Sequence, residues 1–175
     1  MTDTRTHVEP DPLKDLDRLR EIAELNLDSA EGDEMLESIT REAAEYLDLP
    51  IGVVSIVLDE AQYFKAMFGV DGWVGASRGT PVEWSFCRNV VINKSEFVVE
   101  NALEHETMKD SPLVHNEGIR CYAGIPMVTS RGNVVGSFCV KGREERHFSE
   151  SDLEALRGYA SRAMEHIESR AGWSA

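Results

Sequence analysis

IRCYAGIPMVTSRGNVVGSFCV, from Ile119 to Val140, decides the fold. Its two apolar runs, Ile119 to Thr129 and Val134 to Val140, are rich in Val, Ile, Phe, Tyr and Cys, as buried strands require. The polar turn between them, Ser130-Arg131-Gly132-Asn133, carries the residue types that tolerate positive φ in a tight hairpin. Gly124 and Gly136 interrupt the strands and mark a bulge or a close approach of another chain segment. Pro126 has no N–H to give to a ladder, which places it at a bulge or on a bond-free edge.

Upstream, Ile51 to Asp59 and Tyr63 to Gly69 read as a second hairpin turning at Glu60 to Gln62. Neither face of YFKAMFG is wholly polar, so that strand is covered on both sides. Phe97 to Asn101 is a short strand between the hairpins. Helical spacing runs through Leu13, Leu16, Leu19, Ile22 and Leu25, with Asp11 as cap and Pro12 in the first turn. A second helix spans about Asp33 to Leu47 and ends before Pro50. Gly69 to Pro81 is glycine-rich loop, Trp84 to Ile92 a helix of one or two turns, and Leu103 to Gly118 an excursion of loop and short helix. HFSESDLEAL opens the last helix, with Ser149 as N-cap, Asp152 completing a capping box and Phe148 stapled to Leu153. The order predicts an α+β domain over 12–172, preceded by a disordered tail, 1–11. Its five- or six-stranded, mostly antiparallel sheet carries the terminal helices on one face and a roof of loops and short helices on the other.

Composition narrows the function. With 175 residues, 42% of them apolar, the chain suits one folded domain. Its 18 basic against 32 acidic residues, net −14, repel a phosphate backbone and argue against nucleic-acid binding. No apolar run approaches the roughly 20 residues of a membrane helix. The N-terminus, MTDTRTHVEPDP, reads as neither a secretory nor a mitochondrial signal, so a cytoplasmic location is expected. Three cysteines, none in a CxxC pair, fit a reducing compartment better than a disulfide framework or a structural zinc site.

These stretches, together with WSFC and MKDSPLV, resemble the GAF domain, a sensory module of bacterial signalling proteins and cyclic-nucleotide phosphodiesterases. The likeness is to the branch with Ser-Phe-Cys before the middle strand, here Ser85-Phe86-Cys87, and an aromatic-Tyr-Ala-Gly-x-Pro-Leu element later. That element is Cys121 to Met127 here, with Cys121 for the aromatic residue and Met127 for leucine. The resemblance covers roughly 13–170 and implies a sensor acting in trans, without an output domain of its own. Its expected partners are a small-molecule ligand, a signalling protein and a second copy docked through the terminal helices.

The resemblance also places a ligand beneath the roof. Trp84, Phe86 and Cys87 form part of the pocket wall, Asp110 lies in the closing turn, and His115, Arg120 and Tyr122 supply polar contacts. Free cysteine is ordinarily a small buried apolar residue, the competing reading of Cys87 and the stronger one for Cys121 and Cys139. GAF-fold free methionine-R-sulfoxide reductases make these three cysteines the catalytic set of an enzyme alternative. A purely dimeric interaction module with a filled pocket is the third class. His105 and His115 are ten residues apart and fit no metal-ligand spacing, so no metal site is expected. A bilin would need Cys87 or Cys121, but the Cys-His dipeptide of phytochromes is missing. So is the Asn-Lys-x-x-Phe stretch of phosphodiesterase cyclic-nucleotide sites. No residue pattern names a cofactor.

Overall fold

The computed structural model describes residues 10–173, so all but two residues of the expected tail lie outside the described residues. Six strands form one antiparallel sheet: β1 Ile51–Val57, β2 Ala61–Phe68, β3 Gly79–Pro81, β4 Phe97–Val99, β5 Cys121–Val128 and β6 Val134–Gly142. Their order across the sheet is β3-β2-β1-β6-β5-β4. The stretch Ile119–Val140 supplies the β5–β6 hairpin, and Gly132 takes φ 89° in its turn. Strand β4 stops at Phe97, opposite Gly124, so the outer edge of β5 is unpaired where Pro126 stands. The missing N–H therefore leaves no gap in a ladder on that side.

Alternation along the strands sorts two cores onto the two faces. Val54, Ile56, Cys121, Ala123, Ile125, Met127, Phe138 and Val140 face a layer of three helices, α1 Leu16–Glu24, α2 Glu34–Tyr46 and α6 Glu150–Arg170. Val53, Val57, Phe64, Tyr122 and Cys139 face a roof made of α3 Gly72–Ser77, α4 Cys87–Asn93 and α5 Pro112–His115. The capping box of α6 is formed as expected, Asp152 N–H donating to Ser149 Oγ and Ser149 N–H to the Asp152 carboxylate. Phe148 and Leu153 both pack into the helix-side core.

Two local expectations are corrected. The first helix does not run unbroken from Leu13: a 3-10 turn, Pro12–Lys14, capped by Asp11, ends at an extended Asp15, which caps α1 in its turn. The break sends Leu13 into the roof-side core while Ile22 enters the helix-side core. The glycine-rich segment 69–81 is not all loop. It holds α3, fixed by burial of Val74 and by the edge-on Trp73–Trp84 contact, and edge strand β3, paired with Ala61–Tyr63. Tertiary packing overrides glycine's low helix propensity here. The apolar stripe of α6, Leu156, Ala160, Ala163, Met164 and Ile167, is buried on the chain's own sheet.

Candidate functional site: a buried thiol pair beneath the roof

The roof-facing positions of the three central strands form a grid. Strand β6 presents Ser137, Cys139 and Lys141 at alternate positions; β1 sets Ser55, Val53 and Ile51 beside them, and β5 sets Pro126, Gly124 and Tyr122. Tyr122 starts opposite Lys141 and lies flat over Gly124 to reach Ser137. A Cβ on Gly124 would stand 2.1 Å from the Tyr122 hydroxyl and 2.6 Å from Ser137 Oγ. The glycine is therefore a condition for the ring's position.

The segment leading into α4 closes on this grid from above. Phe86 stacks on Tyr122 with ring centroids 5.0 Å apart, and Cys87, the first residue of α4, drops its thiol onto Cys139 with the sulfurs 3.8 Å apart. The Tyr122 hydroxyl donates to Cys87 Sγ at 3.2 Å and lies 2.9 Å from Ser137 Oγ. One proton arrangement satisfies every group: Ser137 donates to Tyr122, and both Tyr122 and Cys139 donate to Cys87. Beside it, Gln62 Oε1 accepts from Ser55 and Ser85 while its Nε2 donates to Thr80. Burial pushes the Cys87 thiol up. Hydrogen bonding from Cys139, the Lys141 ammonium and the Tyr122 hydroxyl outweigh burial and hold the thiol well below its usual range. Burial and the neighbouring Cys87 sulfur push Cys139 well above that range, as expected when one of two touching thiols ionises first.

The structure brings Phe86, Cys87 and Tyr122 together, all fully buried, and adds Cys139 to them. Trp84 is half-buried in the outer roof, where its carbonyl accepts from Ser111 Oγ at 2.7 Å. The Arg120 guanidinium donates to the Val114 and Ile119 carbonyls, tying α5 to the strand that follows. Asp110 and His115 are exposed. Cys121 lies on the opposite face in the helix-side core, so the three cysteines are divided two and one. The space expected under the roof is occupied by Phe86, Tyr122, Val90, Met108 and Leu113. Among the described residues no three His, Cys, Asp or Glu side chains are grouped to hold a metal ion. Ser137, Lys141, Ser55 and Gln62 were not singled out from sequence. Their only signal is polarity at the inward-facing register of apolar strands, and that register needs the pairing to be known.

Comparison with known proteins places this geometry. The family model described as GAF domain matches residues 31–167. A Pseudomonas aeruginosa protein described as cyclic di-GMP phosphodiesterase PA2567 is 34% identical over 160 residues, 90% of this chain but 26% of that protein. The chain thus spans about a quarter of that relative's length. Among solved structures, the GAF domain of an Acinetobacter phosphoenolpyruvate-protein phosphotransferase superposes with a TM-score of 0.65 at 18% identity, covering 91% of this chain and 97% of that one. The blue-light absorbing form of the Thermosynechococcus elongatus PixJ GAF domain superposes at 0.61 with 16% identity, covering 87% and 88%.

Proposed function

The chain belongs to the GAF domain family, and from that premise we propose that it is a sensory domain whose input is the oxidation state of the Cys87–Cys139 pair. The observation that carries this reading is the 3.8 Å contact between the two sulfurs under a closed roof. A filled hollow leaves the thiols themselves as the reactive feature of the site.

The chemistry needs a hydroperoxide. The Cys87 thiolate attacks one peroxide oxygen, the O–O bond breaks, and hydroxide leaves with the electron pair, giving a sulfenic acid. The Cys139 sulfur then attacks the Cys87 sulfur; the S–O bond breaks, and the hydroxyl leaves as water with the Cys139 proton. In sum two thiols and hydrogen peroxide become one disulfide and two waters. The acceptor hydrogen bonds at Cys87 and the nearby ammonium favour the thiolate that starts the sequence. Both sulfurs are sealed from solvent, so the rate is set by local opening of the roof. A disulfide needs sulfurs about 2.05 Å apart, so closing it draws the first turn of α4 towards β6. That displacement is the signal, passed to a partner protein that touches the roof.

Hydrogen peroxide treatment followed by peptide mass mapping tests the reading. A Cys87–Cys139 link, lost in Cys87→Ser and in Cys139→Ser and retained in Cys121→Ser, is the expected result. Oxidation confined to Cys121, or no link after prolonged treatment, overturns it.

A further inference from the structure

The segment that carries Cys87 onto the sheet has little regular structure of its own. It consists of the short edge strand β3, Gly79–Pro81, and a single 3-10 turn, Val82–Trp84, before α4 begins at Cys87. Such a stretch keeps its place through contacts with the rest of the molecule. Gln62 supplies a group of them. It lies on β2 opposite Val57 of β1 and Thr80 of β3, on the roof-facing side with Phe64, and is 1% exposed. Its amide joins three segments. Nε2 donates to Thr80 Oγ1 at 2.7 Å, while Oε1 accepts from Ser85 Oγ at 2.7 Å and from Ser55 Oγ at 3.1 Å. Ser85 Oγ in turn accepts from the Arg88 N–H at 3.2 Å, so the hydroxyl that reaches Gln62 also holds the first turn of α4.

We infer that Gln62 is the latch that keeps the roof shut over the Cys87–Cys139 pair and so regulates when the thiols can be reached. Ser85 stands two residues before Cys87, and fixing its hydroxyl on the sheet fixes the Cys87 thiol on Cys139. When the Ser85 bond breaks, the segment is free to lift: Phe86 leaves the Tyr122 ring and Cys87 meets solvent. Stacking of Phe86 on Tyr122 also resists this opening. Apolar contact is non-directional and tolerates sliding, whereas an amide bonded to three hydroxyls fixes one position. A single hydrogen bond contributes little against the stability of the whole fold, so the latch can open while the sheet and the helix layer stay folded. In the reduced protein it sets the fraction of time for which the thiols are open, and with it the rate of peroxide oxidation. That use rests on the redox reading; the latch itself does not.

Alkylation by iodoacetamide, a small uncharged probe, tests the latch without peroxide. Peptide mass mapping follows Cys87 and Cys121 separately in the wild type, Gln62→Met, Ser85→Ala and the double variant. Met has nearly the length and volume of Gln and removes only its hydrogen bonds, so this variant should fold. Cys121 lies in the helix-side core and reports any opening that is not confined to the roof. Cys87 alkylation about tenfold faster or more in both single variants is expected. The double variant should be no faster than the faster of the two, because both substitutions break one bond, and Cys121 should react as in the wild type. An unchanged Cys87 rate in Gln62→Met, Cys121 accelerated in step with Cys87, or fully multiplicative effects in the double variant overturns the assignment. Accelerated alkylation with no Cys87–Cys139 link under peroxide leaves the latch standing and removes the redox reading; a link with alkylation indifferent to Gln62 does the reverse.

Discussion

Tyr122 shows how one side chain sets the chemistry of its neighbours. Its ring is held by Phe86 above and by the bare Cα of Gly124 below, and its hydroxyl bridges Ser137 and Cys87. Tyr122→Phe removes one donor from the Cys87 sulfur, so the Cys87 thiol should titrate at higher pH. The ultraviolet absorbance of the thiolate, followed in a Cys121→Ser background as pH rises, measures the shift; an unchanged or lowered titration contradicts the assigned donor. Gly124→Ala places a methyl where the hydroxyl stands. Overpacking of this kind costs about 1–3 kcal/mol, and a urea melt of Gly124→Ala that overlays the wild type would show the ring to be free to move. The variant should also slow formation of the Cys87–Cys139 link, because the ring can no longer present its hydroxyl to the sulfur.

At the scale of elements, the helix layer is joined by charges at the helix ends. Asp33 caps α2 through the Leu36 N–H and receives His166 and Arg170 from the last turns of α6. Burial pushes its carboxyl up, but the Leu36 N–H, His166 and Arg170 outweigh burial and hold it below the ordinary carboxylate range. A carboxyl lowered by folding contributes stability that is complete above its unfolded pKa, about 3.9, and is lost as pH falls through the lower folded value. Asp33→Asn keeps the cap and loses the charge. The gap in urea midpoint between wild type and Asp33→Asn should therefore be widest near neutral pH and narrow on acidification. A gap that widens in acid would reverse the sign assigned to Asp33. At the other end of α6, Ser149→Ala removes half of a capping box and should cost about 1 kcal/mol, read from thermal unfolding.

For the whole molecule, one sheet supports two cores, and neither core exists without it. Trp73 and Trp84 report on the roof, and Trp173 packs beside the helix layer. Fluorescence from a Trp173→Phe variant and from a Trp73→Phe/Trp84→Phe variant should give coincident urea transitions, the mark of a single cooperative unit; separated midpoints would make the roof an independent unit. The sequence alone determined both long hairpins, the last helix with its capping box and the two-layer arrangement, because strand alternation, turn chemistry and capping are local and act within a few residues. The family resemblance drew Phe86, Cys87 and Tyr122 together as expected neighbours, because its motifs run along the chain. The sequence misplaced α3 and β3, which owe their shape to contacts with Trp84 and Ala61–Tyr63 rather than to the glycine-rich segment itself. The pairing of Cys87 with Cys139 was decided only by tertiary structure. Residues 52 positions apart meet through the register of β6 and the descent of α4 onto it, and neither can be computed from one segment considered alone.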